Sequence, residues 1–326
     1  MKSEYLKNVQ AAGTASKMTG YSVPIVIQKS KRNVSAAGNL LNFPGIFALI
    51  AESSSKNHLS MKNRPEIERI VIILKIYTLI NQKGGVGKTT TAINLGSCLA
   101  KHGKRVLIVD MDPQANATSS LGYDKNEIKY GTYGVLIGTA SIKDEVIKND
   151  NFNLSLLPSS PSLAGAEIEL IEFSDREKRL MNALNEVNDQ FDYVMIDCPP
   201  SLNQLTINAL IAAKNGVIIP VQCEYLALEG LGQLTQTIYR VKRSYPQVNV
   251  RGVVLTMFDG RTRLAMDVVR EVRRYFPDKV FQSIIPRSVR LAEAPSYGQP
   301  INYYAKDSNA AKAYESLAME ILNQDK

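Results

Sequence analysis

From residue 70 onward the chain alternates short apolar runs with longer amphipathic stretches. Ile70–Ile80 is an apolar run long enough to form a central strand of a parallel sheet. Arg105–Val109 (ending in Asp110), Leu154–Leu157, Tyr193–Ile196, Val217–Val221, Val250–Leu255 and Val280–Ile285 read as further strands. Helical patterns fall over Thr89–Lys101 and near 161–171, 175–190, 203–214, 226–243, 262–276 and 307–323. Gly103 stands after the first of them as its stop. Strand–helix alternation of this kind predicts an α/β fold, a doubly wound, mainly parallel β-sheet flanked by helices. Ligands in such folds sit at the carboxyl ends of the strands.

Residues 1–69 lack this pattern. They are rich in Ser, Asn, Lys and Ala, show weak periodicity, and read as a poorly ordered N-terminal extension to a single domain over 70–326. A DNA-binding or regulatory arm is the alternative reading, although no helix-turn-helix pattern is present. A further expectation is that the extension is not part of the natural product. Lys75–Thr78 has the form of a first strand, and initiation at Leu74 from an alternative start codon fits it; mass spectrometry of the native protein tests this.

Charge sharpens the division. The chain has a formal net charge of +8. Residues 1–75 hold 11 Lys/Arg against 4 Asp/Glu, whereas residues 76–326 hold 28 against 27. The basic balance therefore belongs mostly to the extension. Within the remainder, residues 240–290 concentrate 12 Lys/Arg against 4 acids. The three cysteines, Cys98, Cys198 and Cys223, have no metal-type spacing and predict buried, reduced thiols of a cytoplasmic protein. No apolar run approaches the roughly 18–20 residues that span a membrane.

Between the first strand and first helix lies Lys83-Gly-Gly-Val-Gly-Lys-Thr89. The spacing differs by one step from Gly-x-x-x-x-Gly-Lys-[Ser/Thr], and a second lysine opens the loop. Gly84, Gly85, Val86 and Gly87 let backbone N–H groups close around phosphate oxygens, and the following helix N-terminus adds its partial positive charge. Lys88 is placed to reach the β/γ-phosphates and the Thr89 hydroxyl to hold Mg²⁺, and Thr90 is counted with them as nucleotide-binding. The second strand delivers Asp110 and Asp112 on either side of one residue. The strand before Asp197 has the apolar-then-Asp form that suits a magnesium carboxylate. An acid at a strand end is often only a cap; three of them downstream of such a loop point to a nucleotide site.

The sequence resembles the ParA/Soj chromosome- and plasmid-partitioning ATPases, within the deviant Walker-A class that includes MinD and the nitrogenase iron protein. The resemblance is carried by Asn81–Leu95, Val109–Gln114, Ile196–Ser201, Pro220–Tyr225, Leu255–Thr262 and Ile285–Pro295, and covers roughly residues 75–324. It implies a P-loop ATPase that uses ATP and Mg²⁺ and dimerises with ATP. By the same resemblance Lys83 is the signature lysine that reaches the partner's phosphates, and Asp112 the catalytic carboxylate that orients water. Asp110 and Asp197 match acids around Mg²⁺, and Gly84 lies at the dimer interface. Pro286 and Arg287 are the choice for adenine contacts.

Arg261 and Arg290 match positions that hold DNA without sequence preference, and Arg263, Arg270 and Arg274 on helix 262–276 extend the basic surface. Leu264, Val268, Val272 and Phe276 are expected on that helix's opposite, buried face. The bland alternative is a solvated face with internal Arg–Asp and Arg–Glu pairs. The implied function is segregation of chromosome or plasmid DNA with a centromere-binding (ParB-like) partner, at the nucleoid. The alternative is an ATP-switched regulator or positioning factor for another cargo. A MinD-like membrane role is disfavoured by the sparsely basic last helix, whose Ala310, Tyr314, Leu317 and Ile321 look packed on the core. Turnover is expected to be slow.

Overall fold

The computed structural model describes residues 74–224 and 230–326. The readings for residues 1–73, and the helical start over 226–229, lie outside the described residues. The strands are β1 (Lys75–Leu79), β2 (Val106–Asp110), β3 (Ile147–Asn149), β4 (Leu154–Leu157), β5 (Tyr193–Asp197), β6 (Val217–Gln222), β7 (Val250–Phe258) and β8 (Val280–Pro286). They form one sheet in the order β3-β4-β2-β5-β1-β6-β7-β8. Every pairing is parallel except β3 with β4. The helices are α1 (Lys88–Lys101), α2 (Asn116–Ser120), α3 (Gly131–Ile137), α4 (Ile142–Glu145), α5 (Leu163–Glu169), α6 (Arg179–Asn185), α7 (Gln204–Ala212), α8 (Leu231–Ser244), α9 (Arg263–Tyr275), α10 (Val289–Glu293), α11 (Ile301–Tyr304) and α12 (Asn309–Gln324).

Alternate residues of each strand feed opposite layers, as the period of two requires. Val106 and Ile108 of β2 pack with Ala92, Leu95 and Leu99 of α1 and Tyr314 and Leu317 of α12. Leu107 and Val109 face the other way, toward Leu136 of α3, Leu163 of α5 and Leu180 of α6. A third cluster joins β6 and β7 to Leu234 and Ile238 of α8 and Val268 and Val272 of α9. Helix α1 lies close on the sheet because Gly96 has no side chain; a Cβ there would stand 2.6 Å from Ile108 Cδ1. At the far edge the Glu320 carboxylate of α12 accepts the N–H groups of Gln282 and Ser283, at 2.9 and 3.2 Å. That covers part of the β8 edge against strand addition.

Several expectations are corrected. Helix 175–190 shortens to α6, flanked by turns. Strand β3, a three-residue antiparallel edge, and the short helices α2, α3, α4, α10 and α11 had no periodic signature. On α9 the buried stripe is Ala265, Val268, Val269 and Val272, while Leu264 is 45% exposed. Leu264 sits one residue before the stripe, a rotation of about 100° on a helix of 3.6 residues per turn, which turns it to solvent. Phe276, Val268 and Val272 are buried as expected, and so are Ala310, Tyr314, Leu317 and Ile321. All three cysteines are free and buried.

Candidate nucleotide site

The sheet register assembles the site. Leu79 is the Cα partner of Asp197, and Asp110 is also the partner of Asp197. The glycine loop that follows β1 and the two carboxylates that end β2 and β5 therefore lie side by side at the carboxyl edge of the sheet. Gly85 and Gly87 take φ of 72° and 90°, in the region that other residues avoid. Gly87 is the N-cap of α1, which has no side-chain cap and no acid in its first turn. Its leading N–H groups thus have no intrahelical partner and a partial positive charge, a cradle for an anion. Two braces fix the loop. Asn81 donates to the Pro220 carbonyl at 2.8 Å and accepts the Lys83 N–H at 3.0 Å. Thr256 of β7 donates to the Val86 carbonyl at 2.8 Å.

Lys88 is buried and donates to the Lys83 carbonyl at 3.3 Å. Burial lowers its pKa, while the neighbouring Asp197 chiefly opposes that shift. Asp197 is fully buried, and neither carboxylate oxygen has a hydrogen-bond partner. Burial, then the nearby Asp110, pushes its pKa well above the usual range; Thr89 and Lys88 pull the other way, the Thr89 hydroxyl without reaching hydrogen-bond geometry. An ionised carboxylate left this way is costly, and a cation beside it would offset that cost. Asp110 differs: Oδ1 accepts the Asp112 N–H at 3.1 Å, and Oδ2 accepts the Thr118 N–H and hydroxyl, both at 2.8 Å. Burial lifts Asp110 to about 6 against the downward pull of those donors.

Asp112, 6% exposed, caps its own turn: its carbonyl accepts the Ala115 N–H at 2.8 Å and its Oδ1 accepts the Gln114 N–H at 2.9 Å. Asp at the first position and Pro113 at the second are the preferred residues of such a turn. Its second oxygen takes no partner among the described residues. No group of three or more His, Cys, Asp or Glu side chains among those residues is arranged to hold a metal. A magnesium site built from one or two carboxylates, a hydroxyl and nucleotide phosphates has that sparse protein donor set.

Residues 74–250 match the family described as AAA domain. Over 248 residues the chain is 52% identical to the sporulation initiation inhibitor protein Soj of Bacillus subtilis, covering 76% of this chain and 98% of that protein. Over 252 residues it is 49% identical to the chromosome-partitioning ATPase Soj of Treponema pallidum, covering 77% and 98%. The chain belongs to the Soj/ParA family of partitioning ATPases. Among solved structures, cobyrinic acid a,c-diamide synthase from Mycobacterium smegmatis with bound ADP and magnesium matches with a TM-score of 0.69 at 37% identity, over 77% of this chain and 95% of that one.

The carboxyl edge of the sheet brings together the loop residues Lys83 to Thr90, Asp110, Asp112 and Asp197, whereas the remaining candidates stand apart from them. Pro286 ends β8 opposite Phe258. The Arg287 N–H donates to the Phe258 carbonyl at 3.0 Å, and its guanidinium pairs with Glu224 at 2.6 Å. Both are thus reached from the glycine loop across β6 and β7. Of the basic candidates, Arg261 is held by Asp259, Arg270 by Asp267 and Arg290 by Glu293. Arg263 and Arg274 are exposed and form no ion pair among the described residues. Arg251, counted in the basic stretch, is half-buried against Asp325. Sequence reasoning gave no role to Asn81, Thr118, Ser159 or Thr256. Their only signal was a polar residue in an otherwise buried setting, and their partners lie up to 170 residues away.

Proposed function

We propose that this chain is a Mg-ATP-driven dimerisation switch. Bound to ATP it pairs with a second copy, holds duplex DNA without reading its sequence, and moves chromosome or plasmid DNA with a centromere-binding, ParB-like partner. The observation that carries the reading is the buried, unpartnered Asp197 carboxylate beside an uncapped helix N-terminus and a buried lysine. The P-loop amides and Lys88 would cradle the phosphates. Thr89 and Asp197 would hold Mg²⁺, with Asp110 behind them, and the ion would supply charge neutralisation on the phosphates. Asp112 would orient the attacking water as ATP and water become ADP and phosphate. Lys83 suits action on a second copy's nucleotide, because its ammonium makes no hydrogen bond or ion pair among the described residues. A cation supplied in trans makes pairing depend on ATP.

DNA holding is supported by the exposed Arg263 and Arg274, with Arg261, Arg270 and Arg290 available once their exposed ion pairs open; such pairs are worth about 0–1 kcal/mol each. No helix among the described residues is long and apolar enough to cross a membrane. Gly84 offers a direct test of pairing. It is exposed, and a Cβ there meets nothing within 4 Å. Gly84→Val should therefore fold and bind ATP like the parent, yet remain monomeric with ATP in sedimentation velocity. ATP-dependent dimers of that variant would remove Gly84 from the interface.

A further inference from the structure

The loop carrying Asp110 and Asp112 is closed by a hydrogen-bonded ring that lies outside the phosphate-binding motif. Thr118 of α2 gives its N–H and its hydroxyl to Asp110 Oδ2. The same hydroxyl accepts the Ser159 N–H at 2.9 Å. The Ser159 hydroxyl donates to the Asp112 carbonyl at 2.8 Å. The Asp112 N–H completes the ring on Asp110 Oδ1. Thr132 of α3 braces it, its hydroxyl lying 2.8 Å from the Asp110 carbonyl and 3.1 Å from the Pro158 carbonyl. Thr118, Thr132, Ser159 and Asp110 are all 0% exposed.

Proton directions in this ring are fixed. An ionised carboxylate only accepts, so the Thr118 hydroxyl gives its single proton to Asp110 and acts as acceptor toward the Ser159 N–H. Asp112 is consequently pinned at its N–H by Asp110 and at its carbonyl by Ser159. Its side chain keeps one oxygen without a partner among the described residues. Three separate segments, the end of β2, helix α2 and the loop after β4, meet at one hydroxyl. We propose that Thr118 is a positioning residue for hydrolysis: by bridging Asp110 and Ser159 it holds the Asp112 carboxylate at the place from which it orients water. The inference rests on Asp112 being the water-orienting carboxylate.

The test uses the full chain as Thr118→Val, Thr118→Ser, Ser159→Ala and Asp112→Asn. It measures kcat and KM for ATP with saturating Mg²⁺, affinity for a fluorescent ATP analogue, and the thermal midpoint. Thr118→Val should lower kcat about 10–100-fold, the scale of a displaced catalytic group. Its KM and analogue affinity should stay within about twofold of the parent, because Asp110 keeps the Thr118 N–H, Mg²⁺ is saturating and the phosphate-binding loop is untouched. Thr118→Ser, which keeps the hydroxyl, should recover kcat to within about threefold, and Ser159→Ala should lower it about fivefold. Where Thr118→Val does not fold, Ser159→Ala decides. An unchanged kcat, a loss shared equally with analogue affinity, or no rescue by serine overturns the inference. If Asp112→Asn is inactive while Thr118→Val and Ser159→Ala are normal, the positioning role alone fails. If Asp112→Asn turns over like the parent, the role of Asp112 fails and the inference with it.

Discussion

Lys88→Gln is expected to weaken ATP binding at least about 100-fold while leaving the fold intact. Glutamine keeps most of the buried stem and can still donate to the Lys83 carbonyl, so packing is largely conserved. It removes a charge whose burial is already unfavourable. The free chain should thus melt within a few degrees of the parent. Nucleotide binding is affected far more. Charge-assisted contacts to phosphate are worth about 1.5–3 kcal/mol each, and two or more are lost, so affinity should fall at least about 100-fold. Titration with a fluorescent ATP analogue checks this; near-parental affinity would mean that the lysine does not face the phosphates.

Asp112→Asn is expected to separate binding from chemistry. The asparagine carbonyl can still accept the Gln114 N–H, and the backbone bonds of the turn do not depend on the charge. Nucleotide affinity should remain within about threefold of the parent. Hydrolysis should fall about 10²–10³-fold, in the range attributed to a positioned base or water-orienting group. Single-turnover measurement of phosphate release distinguishes this from slow product release. A variant that hydrolyses ATP at the parental rate would place the decisive carboxylate elsewhere, with Asp197 next in line. Because ATP stays uncleaved, Asp112→Asn should also accumulate the ATP-bound dimer.

Much of this was legible because the strands are fully covered. Val106–Asp110 and Tyr193–Asp197 are buried at every residue, so they appear as uninterrupted apolar runs whose ends fall within a residue of those observed. The glycine loop was equally legible, since its phosphate geometry demands particular residues in a row. What the sequence hid is of two kinds. Short elements such as β3 are too brief for any period to emerge, and they exist because β4 offers them an edge. Leu264 was assigned to the wrong face because its apolar character outweighed the small Ala265, which fills the stripe. Contacts that depend on distant partners were the second kind. The Thr118 hydroxyl meets Ser159 from 41 positions away, and Met257 adopts φ 52° within β7 where the pairing with β8 shifts register. This positive φ stands next to Thr256, which braces the phosphate loop, and has no local signature in the sequence.

The most direct test of the switch is binding of the full chain to non-specific duplex DNA with ATP, with ADP and without nucleotide, each at two salt concentrations, alongside a chain beginning at Leu74. Binding confined to the ATP state, retained by the shorter chain, and weakened steeply by salt is the predicted result, since each neutralised phosphate contributes about −0.9 to the slope of log affinity on log salt. Binding that ignores nucleotide and requires residues 1–73 would assign DNA to the extension and contradict the switch. Absence of binding in every state would remove DNA as the surface on which this ATPase acts.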